Sequence, residues 1–144
     1  MKARLVDTGP LVAYLNQRDR YHLPVCESLE RFSGQLLTTT AVIVEAMFLV
    51  ARQQGGPGAL AELVASSGLE VVDFSARSHL QAAAWLMEKY SDVPMDFADA
   101  TLVLLAEQVQ IFEIFTLDRR GFSVFRTRDK RAFSLIPQLE PSTS

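Results

Sequence analysis

Ala3-Arg4-Leu5-Val6-Asp7-Thr8-Gly9-Pro10 takes the chain through a strand, a turn and the start of a helix. Ala3 to Val6 is a short, mostly apolar strand, and Asp7-Thr8-Gly9 turns the chain. Pro10 suits the first helical position, where its missing N–H is no loss, so the pattern predicts a helix to about Asn16. The same alternation repeats outward from this unit. A helix is expected over 23–32, a strand over Gln35-Leu36-Leu37-Thr38, and a helix capped by Thr39 or Thr40 that carries Glu45. Gln54-Gly55-Gly56-Pro57-Gly58 is a break, followed by a helix to about Ser67 and a strand over 69–74. Helices over 76–90 and 97–109 precede a fourth strand over 111–117, and Phe133-Ser134-Leu135-Ile136 adds a fifth.

Strands alternating with helices predict parallel pairing through right-handed crossovers, hence an α/β fold with three α/β/α layers and a central, mainly parallel sheet of four to five strands. The 144 residues suffice for one domain with a full core. That domain is expected over 1–137, with 138–144 as a loose tail.

Four carboxylates interrupt this pattern: Asp7, Glu45, Asp99 and Asp118. Glu45 is the plainest case, as the only polar residue in Ala41-Val42-Ile43-Val44-Glu45-Ala46-Met47-Phe48-Leu49-Val50. A run apolar on all sides over about 15 Å of helix predicts a buried helix, leaving Glu45 no solvated face. Asp7 ends the first strand, Asp118 ends the fourth, and Asp99 lies in the first turn of an apolar helix. All four are expected to point inward and to meet above the carboxyl edge of the sheet. A buried carboxylate costs several kcal/mol unless something positive answers it, and a divalent cation that handles phosphate would answer all four. A salt bridge to a buried arginine is the rival reading for Glu45, although Arg52 lies too far along the helix to serve easily. Asp96 has two readings: an N-cap three residues before Asp99, which is favoured, or a further metal ligand.

A formal charge of −3 argues against a nucleic-acid partner only if charge is spread evenly. Six of the fourteen basic residues (Arg119, Arg120, Arg126, Arg128, Lys130 and Arg131) lie between 119 and 131, interleaved with Phe122 and Phe125. Such interleaving suits single-stranded nucleic acid, and a plain solvated face is the alternative. The single cysteine, Cys26, excludes an intramolecular disulfide and a thiolate zinc site, and fits a reducing cytoplasm. Asp7 and Pro10 interrupt the first apolar stretch too early for a signal peptide, and no run is long enough to span a membrane. His22 and His79 match no metal or acid–base spacing, and Trp85 is expected in the core.

Val6-Asp7-Thr8-Gly9-Pro10-Leu11, the threonine-capped helix with Glu45, Met95-Asp96-Phe97-Ala98-Asp99-Ala100, and Phe115-Thr116-Leu117-Asp118-Arg119-Arg120-Gly121-Phe122 stand in an order and spacing that resemble a PIN domain. This family of metal-dependent ribonucleases includes the VapC-type toxins, and the resemblance runs from residue 3 to about 136. No one motif is specific; the ordered set is. The resemblance implies that Asp7, Glu45, Asp99 and Asp118 are the catalytic, metal-holding acids, and that Thr8 and Thr116 line the pocket. Oxygen ligands without histidine or thiolate suit Mg²⁺ or Mn²⁺. The implied reaction is hydrolysis of single-stranded RNA by metal-activated water, leaving a 5′-phosphate and a 3′-hydroxyl. Arg119 and Arg120 follow Asp118 directly and are candidates for RNA phosphate contact, with ordinary surface charge as the alternative.

Two other classes fit less well. An aspartyl phosphatase wants a second aspartate where Gly9 stands, and a phospho-receiver domain wants a lysine that Thr116-Leu117-Asp118 lacks. A non-catalytic RNA-binding module uses the basic segment but leaves the acid set unexplained. The family also implies a small antitoxin, blocking the acids from a groove near the Glu45 helix, and a homodimer. A non-toxin RNA-processing nuclease would carry the same residues.

Overall fold

The computed structural model describes residues 2–137, so the expected tail at 138–144 lies outside the described residues. Five strands form one parallel sheet: β1 (Ala3–Val6), β2 (Gln35–Thr39), β3 (Glu70–Val72), β4 (Glu113–Phe115) and β5 (Ser134–Ile136), in the order β3-β2-β1-β4-β5. The register pairs Leu5 with Leu37 on one side and with Ile114 on the other, so β1 is central and buried. The chain moves outward from β1 to β3 and then crosses back to β4. By the right-handed rule this places α1 (Thr8–Leu15), α2 (His22–Arg31), α3 (Thr40–Val50) and α4 (Gly56–Ser67) on one face. It places α5 (Arg77–Lys89) and α6 (Phe97–Val109) on the other. A short α7 (Arg119–Phe122), not expected from the sequence, links β4 towards β5. The expected α/β sheet of four to five strands is thus found with five, all parallel.

Three sequence expectations change. The first helix begins at Thr8 rather than Pro10, with Asp7 as its N-cap. Pro10 fits inside that first turn because the first four N–H groups of a helix have no intrahelical partner. The helix buried on all sides is α6, where every residue from Ala98 to Ala106 is buried. By contrast α3 exposes Val44 (64%) and Phe48 (68%), so an apolar run marks a helix without water-loving faces but does not say that this chain covers them. Trp85, expected in the core, is half exposed on α5 with the Lys89 ammonium 5.1 Å from its ring centroid. Its amphipathic ring tolerates that position.

The core runs from Leu5, Leu37 and Ile114 in the sheet to Val42, Ala46 and Val50 on α3, and to Leu102 and Leu105 on α6. Phe122 and Phe125 are also fully buried, their rings edge to face at 5.2 Å. They therefore anchor the segment after β4 and cannot stack on bases, which removes the aromatic half of the expected nucleic-acid motif. Among the described residues no helix is long and apolar enough to cross a membrane.

Candidate functional site

The reversal in strand order between β1 and β4 opens a crevice at the carboxyl edge of the sheet, the place where such sheets bind ligands. Asp7 leaves β1 at this point and is almost completely buried. Its Oδ1 accepts a hydrogen bond from the Thr8 amide at 2.8 Å, and its Oδ2 accepts one from the Thr116 hydroxyl at 2.7 Å. Thr116 in turn accepts the Asp118 amide at 3.0 Å, so one buried hydroxyl ties the ends of β1 and β4 together. Asp118 is the N-cap of α7, with Oδ1 accepting the Gly121 amide at 2.9 Å. It is exposed, contrary to the expectation that it points inward, because the loop after Phe115 carries it beyond the sheet.

Asp96 and Asp99 form a reciprocal capping box at the start of α6. Asp96 Oδ1 accepts the Asp99 amide at 2.8 Å, and Asp99 Oδ2 accepts the Asp96 amide at 3.1 Å. The cap reading of Asp96 therefore describes its geometry, and its bond locks the Asp99 backbone. Asp99 itself is 9% exposed and Glu45 is partly buried on α3. The rival salt bridge for Glu45 does not form: the three ion pairs among the described residues are Arg4–Glu113, Arg31–Glu27 and Arg128–Glu107.

The electrostatics bind these acids into one group. Burial raises the Asp7 carboxyl to about 6 against its hydrogen bonds from Thr116 and Thr8, with Asp118 and Asp96 adding repulsion. Burial, then the charges of Asp96 and Asp7, push Glu45 up to about 7. Asp99 rises furthest, to about 9, through burial and then the charges of Asp7 and Asp96. Carboxylates that hold each other protonated in this way lack a positive partner. The Thr8 hydroxyl adds a buried oxygen with no protein partner at the same corner. An all-oxygen set of this kind fits a hard divalent cation. As placed, no three of the described acidic, histidine or cysteine side chains stand close enough together to hold an ion directly. Mg²⁺ commonly keeps several waters and takes only one or two carboxylates, which suits that spacing.

The basic segment is more committed than its sequence suggests. The Arg128 side chain pairs with Glu107, Arg131 lies 4.1 Å over the Phe112 ring, and Arg126 donates to the carbonyls of Ser123 and Phe125. Arg119 donates to the Pro137 carbonyl at 3.0 Å, leaving its neighbour Arg120 exposed beside Asp118. Sequence reasoning missed Thr101, which is fully inside and meets Thr39 across the gap between α6 and α3. A hydroxyl in the otherwise apolar run Ala100-Thr101-Leu102-Val103-Leu104-Leu105-Ala106 was the available signal.

The family model for the PIN domain matches residues 4–134. The chain belongs to the PIN domain family. Ribonuclease VapC26 of Mycobacterium tuberculosis is 33% identical over 135 residues, covering 92% of this chain and 99% of that protein. Two solved structures share the PIN fold at lower identity. VapC20 of M. tuberculosis, a toxin that cleaves the sarcin–ricin loop, matches with a TM-score of 0.72 at 22% identity, covering 82% of this chain and 91% of its own. VapBC2 of Rickettsia felis, bound to a DNA fragment from its promoter, matches with a TM-score of 0.61 at 15% identity over 93% and 97%.

Proposed function

We propose that this PIN domain is a divalent-metal-dependent endoribonuclease that hydrolyses phosphodiesters of single-stranded RNA, and that it is the toxin of a toxin–antitoxin pair. The observation that carries the reading is the convergence of Asp7, Glu45, Asp96, Asp99 and Asp118 at one sheet edge, where among the described residues none of them forms an ion pair with a cationic side chain. Asp7, Glu45, Asp99 and Asp118 surround the cation, Mg²⁺ or Mn²⁺, one or two of them directly and the others through its waters, while Asp96 fixes Asp99 through the capping box. A bound cation acidifies a water and neutralises the charge that builds on the phosphate. Thr116 keeps Asp7 Oδ2 in one orientation, and the buried Thr8 hydroxyl has no partner among the described residues. Arg120 is the nearer candidate for an RNA phosphate, because Arg119 already donates to Pro137.

The exposed face of α3 supports the toxin reading over a stand-alone processing enzyme. Val44 and Phe48 line a groove of about 570 Å³ together with Phe97, and Glu45 and Asp96 stand in its wall. An apolar groove walled by acids suits a small antitoxin that brings apolar side chains and a cation, and the same face suits a second copy in a homodimer. The VapBC2 likeness supports an antitoxin partner, and a single cysteine, Cys26, suits a reducing cytoplasm.

The test is cleavage of a mixed single-stranded RNA pool by the partner-free chain with Mn²⁺, beside EDTA and Asp99→Asn. Asparagine keeps the shape and removes the ligand charge. Cutting that needs Mn²⁺ and vanishes in Asp99→Asn supports the nuclease; RNA binding without cutting in either protein replaces it with a binding module.

A further inference from the structure

Of three consecutive threonines, Thr38 and Thr39 end β2 and are fully buried, while Thr40 begins α3. The Thr38 hydroxyl donates to the Val6 carbonyl at 2.6 Å, one residue before Asp7. Thr39 caps α3 by accepting the Val42 amide at 3.3 Å, and its oxygen lies 2.8 Å from that of Thr101 on α6. Thr101 donates to the Ala98 carbonyl at 2.7 Å. A hydroxyl carries one proton, so with Thr101 donating to Ala98, Thr39 must donate to Thr101. The bonds therefore run in one direction: Val42 N–H to Thr39, Thr39 to Thr101, Thr101 to Ala98.

This relay joins the two helices that carry opposite walls of the acid site. Glu45 stands six residues beyond Thr39, about 9 Å along α3. Asp99 stands two residues before Thr101 on α6. Between them the burial of both hydroxyls leaves water no access, so the contact is direct and its length is set by oxygen radii rather than by soft packing. An aliphatic pair at these positions would fill the same space without the directional bonds that link the start of α3 to the first turn of α6. A hydroxyl pair embedded in two backbone bonds admits one register.

We infer that Thr39 and Thr101 are positioning residues that set the separation of Glu45 from Asp99, and so tune the affinity of the site for its divalent cation. The inference rests on the reading that these acids hold the cation. The experiment titrates Mn²⁺ into the full, partner-free chain by calorimetry and measures RNA cleavage against Mn²⁺ concentration. The proteins are the wild type, Thr101→Val, Thr101→Ser, the double variant Thr39→Val/Thr101→Val, and Asp99→Asn. The double variant strands no hydroxyl but frees the Val42 amide that Thr39 caps, so Thr101→Ser, which keeps both bonds, is the folding control, and circular dichroism confirms folding before each titration.

Thr101→Val should bind Mn²⁺ about tenfold more weakly or worse, the usual effect of losing a group that orients a ligand, while Thr101→Ser stays within about twofold. Saturating Mn²⁺ should return the cleavage rate of Thr101→Val close to that of the wild type, since no ligand is lost. The double variant should bind Mn²⁺ at least as weakly as Thr101→Val, because it breaks the same relay and also removes the cap of the helix that carries Glu45. Wild-type Mn²⁺ affinity in Thr101→Val, even with a lowered Tm, would overturn the inference by showing that the relay only joins the helices. Mn²⁺ binding in Asp99→Asn equal to the wild type would instead overturn the reading of the acids on which the inference rests.

Discussion

Asp7 shows how much one side chain can be asked to do at the mouth of a parallel sheet. It caps α1, holds the Thr116 hydroxyl and faces the other acids, so its two oxygens are already partly spent on structure. Thr116→Val should release Asp7 Oδ2 and lower metal-dependent RNA cleavage about tenfold to a hundredfold, as loss of a ligand's supporting hydrogen bond usually does. Rates of the variant and wild type at matched Mn²⁺ check this, and an unchanged rate would remove Thr116 from the site. Gly121 is a second sensitive point. A methyl there would overlap Asp118 Oδ2 and come within 2.9 Å of the Phe125 ring, with Phe125 fully buried. Gly121→Ala should cost about 1–3 kcal/mol in thermal or urea melts, the usual scale of overpacking, and should slow cleavage by displacing Asp118. At this scale the sequence was legible where charge broke an apolar pattern, as at Asp7 and Asp99. It was not legible at Asp118, whose exposure depends on how far a loop carries it, nor at Thr101, whose partner lies 62 residues away.

The helices divide by what covers them. Leu105 on α6 is fully inside, so Leu105→Ala should cost about 2–5 kcal/mol by leaving a cavity in the centre of the domain. Phe48 on α3 is mostly in solvent, so Phe48→Ser should change the stability of the isolated chain by no more than about 0.5 kcal/mol. The same substitution should weaken self-association or antitoxin capture. Denaturant melts together with light scattering separate the two effects, and a large loss of monomer stability from Phe48→Ser would show that α3 is covered by its own chain. Both helices read alike in sequence, as long apolar runs broken by acids: Glu45 in α3, Asp99 and Glu107 in α6. Hydrophobicity reports that a surface must be removed from water and is silent on which chain removes it. The parallel pairing, the approximate helix positions and the acid-bearing corners followed from period and turn chemistry, whereas the order of the strands in the sheet did not. The starting residue of α1 and the short α7 did not, because capping by Asp7 and Asp118 depends on local backbone geometry that competes with the proline and glycine signals.

For the molecule as a whole, the raised acids make stability depend on pH and, if they hold the proposed cation, on metal as well. Asp7 and Asp99 have ordinary values of 3.8, and Glu45 one of 4.5, while the fold lifts them to about 6, 9 and 7. Between those limits the unfolded chain has released protons that the native chain retains, so the native state binds more protons and stability falls as pH rises. The stabilising contribution is complete below about pH 4 and is lost successively as pH passes the folded values of Asp7, Glu45 and Asp99. In EDTA these groups should therefore make the melt at about pH 5.5 higher than that at about pH 8.5, and Asp99→Asn should flatten the slope. The proposed cation would bind the ionised acids, so it should oppose this loss most strongly on the alkaline side. At a hundred times its Kd, Mn²⁺ should add about 2.7 kcal/mol, which for a chain of this size raises Tm by about 5–10 °C. The gain should be smallest at the acid end, where protons compete for the same oxygens. Calorimetric scans across this range, with and without Mn²⁺, check the prediction. A melt in EDTA that climbs steadily with pH and ignores Mn²⁺ would mean that the five acids do not share the electrostatic strain on which a cation site depends.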